Sequence, residues 1–177
     1  MIYTGIGSRK TPPSILNEME LIARMLAEKG YTLRSGKADG ADKAFQKGAE
    51  RVSGSGIEIY VPWKGFDQNN QVVSDRYDIV PTFINDLCPD IASTFHPNWG
   101  YCSPAAKKLH SRNVCQVLGD DLKTPSDFVL FYAEEKNGKV RGGTATAVAI
   151  ARFYKITTIN MYLDDWRPKV MMMAGLA

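Results

Sequence analysis

Three short stretches of this chain carry the residue types that hold anions. GIGSRK (residues 5–10), SGKADGAD (35–42) and RGGTAT (141–146) each combine glycines with hydroxyl or basic side chains. Glycine lets a ligand approach the backbone, and the free amides of a following helix start carry partial positive charge suited to phosphate. The candidate ligand contacts are Gly5, Gly7, Ser8 and Arg9 in the first stretch, Ser35, Gly36, Lys37, Gly40 and Asp42 in the second, and Gly142, Gly143, Thr144 and Thr146 in the third. Arg141 adds a further cation. A glycine in such a turn also has a plainer use, which is to turn the chain; three on one edge favour a ligand.

Two further groups bear on chemistry. In AAKKLHSRNVCQVLG, Leu109, Arg112, Asn113 and Gln116 share one helical face, an apolar residue bordered by three hydrogen-bonding ones. Such a face either reads a base or phosphate, or caps neighbouring strands and loops, or faces solvent. Among carboxylates, Asp39 is the candidate catalytic acid, with Asp42 and Glu134 as alternatives. Asp42 also suits a helix start and Glu134 a solvated hairpin. The two histidines, His96 and His110, stand far apart without metal-ligand spacing, and no metal is expected. Trp63, Phe66, Trp99 and Tyr101 offer surfaces for stacking a base or for local packing.

The elements that must position these residues follow from periodicity. The first strand ends at GIGSRK, and a helix with Ile15, Met19, Ile22, Met25 and Leu26 at helical spacing runs to Gly30. YTLRSG is a second strand feeding SGKADGAD, ADKAFQKGAERV a helix, and IEIYVPW a third strand closed by Pro62. A long insertion of about residues 64–102 follows, with a helical pattern only around Val80–Leu87. Ser103 and Pro104 then open a helix reaching Gly119, DFVLFYA is an apolar strand, and EEKNGKV a hairpin. RGGTATAVAIARFYKI is a turn and helix, TTINMYL the last strand, and VMMMAGLA a tail expected to pack. Strands alternating with helices predict an α/β, Rossmann-like, doubly wound and mainly parallel sheet of about five strands with helices on both faces. The expectation is one domain spanning residues 1–177.

Composition excludes several classes. With 22 basic and 19 acidic residues the chain has a net charge of +3, too small for a broad nucleic-acid track. Three cysteines, Cys88, Cys102 and Cys115, form no CxxC pair, so neither a disulfide framework nor a zinc site is expected. The first residues lack the basic segment of a signal peptide and no run is long enough for a membrane span, so a cytoplasmic protein without membrane partners is expected. No Walker A motif or complete GxGxxG is present, and no cofactor is expected.

GIGSRKTP, LRSGKADGADKAF and GGTATAVAIA, taken in order, resemble the SMF/DprA–LOG (SLOG) Rossmann-like superfamily, most closely small DprA-like proteins of phages and bacteria. The resemblance spans most of the chain outside the insertion. SGKADGAD is similar to the DprA-type SGGARGID turn, which binds single-stranded DNA phosphates. Ser35, Gly36, Ala38, Gly40 and Asp42 match, while Lys37 and Asp39 replace a glycine and an arginine. Against the LOG pattern PGGxGTxxE, Gly142, Gly143 and Thr146 align, Ala145 replaces a glycine, and Ala149 stands at the catalytic glutamate. N-glycoside cleavage builds positive charge on the sugar that a carboxylate stabilises, so its loss counts against turnover. The resemblance implies binding of a nucleotide-like small molecule. LOG-type nucleotide N-glycoside hydrolysis through another carboxylate and DprA-like single-stranded DNA binding are the alternatives, and a homodimer is common in the family.

Overall fold

The computed structural model describes residues 1–69 and 72–175. Among them, β1 (Ile2–Gly7), β2 (Thr32–Ser35), β3 (Ile57–Tyr60), β4 (Asp78–Ile79), β5 (Phe128–Tyr132) and β8 (Thr157–Asn160) form a six-stranded parallel sheet in the order β4-β3-β2-β1-β5-β8. The sixth strand is the two-residue β4, an edge addition from the insertion to the five read from periodicity. β6 (Glu135–Lys136) and β7 (Lys139–Val140) pair antiparallel as the expected hairpin.

α1 (Pro13–Glu28), α2 (Ala41–Glu50) and α6 (Trp166–Met173) pack on one face of the sheet, and α3 (Leu87–Phe95), α4 (Pro104–Leu118) and α5 (Ala145–Phe153) on the other. The two faces explain the sequence pattern. Every side chain of Phe128, Val129, Leu130 and Phe131 is buried, because a central parallel strand has no solvent side. Phe128 and Leu130 join Tyr3, Leu26, Leu33 and Phe45 in one core; Val129 and Phe131 join Ile6, Val114, Val117 and Ile150 in the other. The tail packs as expected as far as it is described: Val170 and Ala174 are buried, and Tyr31 donates its hydroxyl to the Met173 carbonyl at 2.8 Å. Leu176 and Ala177 of that tail lie outside the described residues.

The insertion departs from expectation. Its helix lies at Leu87–Phe95 rather than around Val80–Leu87. Pro81 disfavours helical backbone at Val80, the segment from Thr82 to Asp86 turns instead, and the helix starts where Cys88 and Ala92 can be buried.

From β1 the chain builds outward through β2, β3 and β4, then crosses over to β5 on the other side of β1 and continues to β8. The order therefore reverses between β1 and β5. Outside the carboxyl ends of those two strands lies the crevice where open α/β sheets bind ligands.

Candidate functional site

The three glycine turns meet at this reversal point, and Asp42 ties the first two together. Its carboxylate accepts from the Gly7 backbone N–H at 3.2 Å, from the Ala38 N–H at 3.3 Å, and pairs with Arg112 Nη1 at 3.5 Å. One buried side chain on the first turn of α2 thus links the turn after β1, its own turn after β2, and α4. Gly40 makes the approach possible. Its φ is +81°, and a Cβ there would stand 2.7 Å from the Ser8 carbonyl oxygen.

α4 closes the arrangement from the opposite face. Its start is set by Ser103, whose hydroxyl accepts from the Ala106 N–H at 3.2 Å, and by Pro104 at the first helical position. Arg112, Asn113 and Gln116 are all buried on it. With the amide oriented by its neighbours, Gln116 accepts from the Gly36 N–H at 3.0 Å and from Arg112 Nη1 at 2.9 Å, and donates to Asn113 Oδ1 at 2.9 Å. Asn113 in turn donates to the Gly143 carbonyl at 3.0 Å, which fastens the third turn. The face read from sequence braces neighbouring loops and also lines a cavity.

That cavity measures about 400 Å³, within the range of small-molecule sites. Gly7, Ser8, Arg9, Asp42, Arg112, Asn113, Gln116, Gly142, Gly143 and Thr144 line it, together with Arg141 and Leu109. Lys10 and His110 complete its polar wall; neither was singled out for it by sequence. Burial pushes the Asp42 carboxyl up and the Arg112 guanidinium down, and each charge opposes the other's shift. Guanidinium keeps its proton in proteins, so the pair is an internal ion pair. Arg112 Nε is buried without a hydrogen-bond partner among the described residues.

Other expected contacts lie behind the wall. Gly5 sits within β1 against the Phe45 ring, and the Ser35 hydroxyl donates to the Gly5 carbonyl at 2.6 Å. Gly36 and Gly40 support the turns, and Thr146 Oγ1 lies 3.0 Å from His110 Nδ1. Asp39 is on the outer side of its turn, where Lys43 donates to it at 2.7 Å. Glu134 is exposed, with Arg141 at 3.9 Å.

Lys37 differs most from its sequence reading. Its side chain is fully buried and pairs with Asp75 and, at 2.6 Å, with Asp78. Burial pulls its pKa down, but the two carboxylates outweigh that and hold it above the ordinary lysine value. Its backbone is left-handed, with φ of +63°. The ammonium serves as an internal tether for β4 and the loop before it rather than as part of the cavity wall. Lys37→Met is therefore expected to cost about 1–3 kcal/mol in urea unfolding, the price range of a charged hydrogen-bonded group left alone. It should also speed proteolysis within residues 62–86. Unchanged stability and cleavage would show the tether to be idle.

The histidines correct the sequence reading in another way. Separated along the chain, His96 and His110 are neighbours in space with ring centroids 4.2 Å apart, and Cys102 joins them. Burial, then the charges of His96 and Arg112, bring the His110 pKa down to about 4, so it is a neutral imidazole at pH 7. α3 and α4 pack together and fold the loop between them back, a contact no local spacing announces. Of the aromatics, Trp63 and Phe66 pack edge to face on each other and Tyr101 is exposed; none of the four lines the cavity. All three cysteines are free.

No protein-family model and no curated protein matches this chain. Solved structures do. DNA processing protein A from Helicobacter pylori, studied for its single-stranded DNA binding mode, aligns at TM-score 0.56 and 16% identity over 100% of this chain and 74% of that one. The Moco carrier protein of Chlamydomonas reinhardtii aligns at TM-score 0.52 and 17% identity, over 99% of this chain and 85% of that one. A second structure of this molybdenum cofactor carrier gives 0.53 and 18% over the same shares. Identities this low establish the fold: the chain is a Rossmann-like α/β protein. Among the described residues no helix is long and apolar enough to cross a membrane.

Proposed function

We propose that this protein is a single SLOG-type domain that binds a nucleotide or nucleotide-derived small molecule in the cavity between β1 and β5. In this reading the phosphate sits against the amides of the Gly142–Thr144 turn with Arg9 and Arg141 beside it, and the base or sugar lies against Leu109, Asn113 and Gln116. The observation that carries it is the convergence of Arg9, Lys10, Arg112 and Arg141 with the Gly142–Thr144 turn on one cavity.

The cavity favours binding over hydrolysis. Asp42 is the carboxylate among its lining residues, and that carboxylate is engaged by two backbone amides and Arg112. Asp39 lies outside the lining and is paired with Lys43.

Calorimetry with nucleoside 5′-monophosphates, cyclic nucleotides and ADP-ribose derivatives tests the proposal. Saturable binding is expected, and Arg141→Ala should weaken it by about 1.5–3 kcal/mol, roughly 10- to 100-fold, if this exposed cation contacts the phosphate directly. No binding across the panel by folded protein sinks the reading. Single-stranded DNA is the second reading, favoured by the fold shared with DNA processing protein A and by the cluster of Arg9, Lys10 and Arg141 at the cavity. It requires oligonucleotide affinity that falls steeply with salt as counterions are released, whereas a mononucleotide held by a few contacts shows a shallow slope.

A further inference from the structure

We infer that His96, Cys102 and His110 form a binding site for a zinc ion at the edge of the cavity. The three side chains each place a donor atom within 4.8 Å of the others. Cys102 Sγ is 3.8 Å from His96 Nδ1 and 3.9 Å from Nε2, and the two imidazole centroids are 4.2 Å apart. Zn–N bonds of about 2.0–2.1 Å and Zn–S bonds of about 2.3 Å in a tetrahedron put donors about 3.3–3.8 Å apart. The set closes around an ion by side-chain rotations of about an ångström.

The fold holds the three ligands from different anchors. His96 ends α3, Cys102 follows the 3₁₀ turn Trp99–Tyr101 immediately before Ser103 caps α4, and His110 lies on the second turn of α4. All three are half-buried, so an ion can reach them from water. Thr146 supplies the outer support. Its hydroxyl lies 3.0 Å from His110 Nδ1, and accepting that N–H leaves Nε2 free to bind the metal, as outer partners do for ligating histidines. At His96 the 3.3 Å bond from the Asn98 N–H to Nδ1 is what the ion displaces if it takes that nitrogen.

One thiolate and two imidazoles suit zinc and exclude the hard cations magnesium and calcium. Three protein ligands leave a fourth position for water or a ligand atom. Because His110 also lines the cavity, an ion held here borders that space. The inference does not depend on the nucleotide reading.

Titration of the full chain with zinc chloride, without nucleotide, tests it, with cobalt(II) absorption as a second readout. One equivalent of zinc is expected, and cobalt should develop a thiolate charge-transfer band. Cys102→Ser should abolish that band, His110→Ala should weaken zinc binding at least about 100-fold, and Thr146→Val about 10- to 100-fold. Circular dichroism confirms that each variant folds. Three results overturn the site: no saturable zinc binding by folded protein, affinity unchanged in Cys102→Ser, or a cobalt–thiolate band that persists in Cys102→Ser and disappears in Cys115→Ser.

Discussion

Arg112→Met is expected to lose about 3–5 kcal/mol of stability at pH 7, measured by urea unfolding, because it strands the Asp42 carboxylate in the interior. Methionine fills much of the same volume, so the loss reports charge rather than a hole. The dependence on pH identifies the cause. Burial already raises the Asp42 pKa in the native state, and Arg112 is the principal group opposing that rise. Without it the folded-state pKa rises further, so the folded protein binds the proton more tightly still relative to the unfolded chain. Stability is then greatest below the unfolded aspartate value, about 3.9, and falls as pH rises through the raised folded pKa. The deficit of Arg112→Met relative to the parent should therefore shrink on acidification from pH 7 toward 4. Adding Asp42→Asn should recover part of the loss at pH 7, since the amide oxygen still accepts from a turn N–H without carrying charge. A deficit that does not change with pH would mean that Arg112 acts through packing alone.

The second large effect is expected from Gly36→Ala. A Cβ at Gly36 would stand 1.1 Å from Arg112 Nη1 and 2.3 Å from the Gln116 side-chain amide, so one methyl group displaces the guanidinium. Gly36 has an ordinary negative-φ backbone, which makes this a question of space rather than of conformation. The expected cost is about 3 kcal/mol, and it comes from the same pair that Arg112→Met removes. The two substitutions should consequently be non-additive, with a coupling of about 1–3 kcal/mol in a double-mutant cycle. Under the nucleotide reading, Gly36→Ala should also weaken ligand binding, because Arg112 leaves the cavity wall. Full additivity would show that Gly36 and Arg112 act separately.

These two variants concern a pair that no local pattern links. Gly36 directly follows β2 within the sheet, and Arg112 comes from α4, which covers one face of it. Their contact depends on the crossover that carries the chain from β4 to the far side of β1. The same crossover explains why Asp42 organises the site. As a first-turn aspartate on α2 it could equally have been a solvated helix-start residue, and only the arrival of Gly7 and Arg112 gives it three partners.

The local sequence by itself determined the alternating β/α elements, the three glycine turns at strand ends, and the shared face of Leu109, Arg112, Asn113 and Gln116. Each follows from periodicity or backbone sterics within a few residues, and those forces do not depend on the rest of the chain. Tertiary structure decided the burdens the residues carry. It buried Lys37 against Asp75 and Asp78, because β4 brings two carboxylates over a position where a free cation was expected. It placed Asp39 outside the cavity and Asp42 in its wall, although both belong to one stretch, because Asp39 stays in the exposed turn before α2 while Asp42 is buried on the first turn of that helix. It gathered His96, Cys102 and His110 through the packing of α3 on α4. Electrostatic partners and ligand sets are made by contacts between distant segments, and their energies depend on desolvation that exists only once the two faces of the sheet are covered.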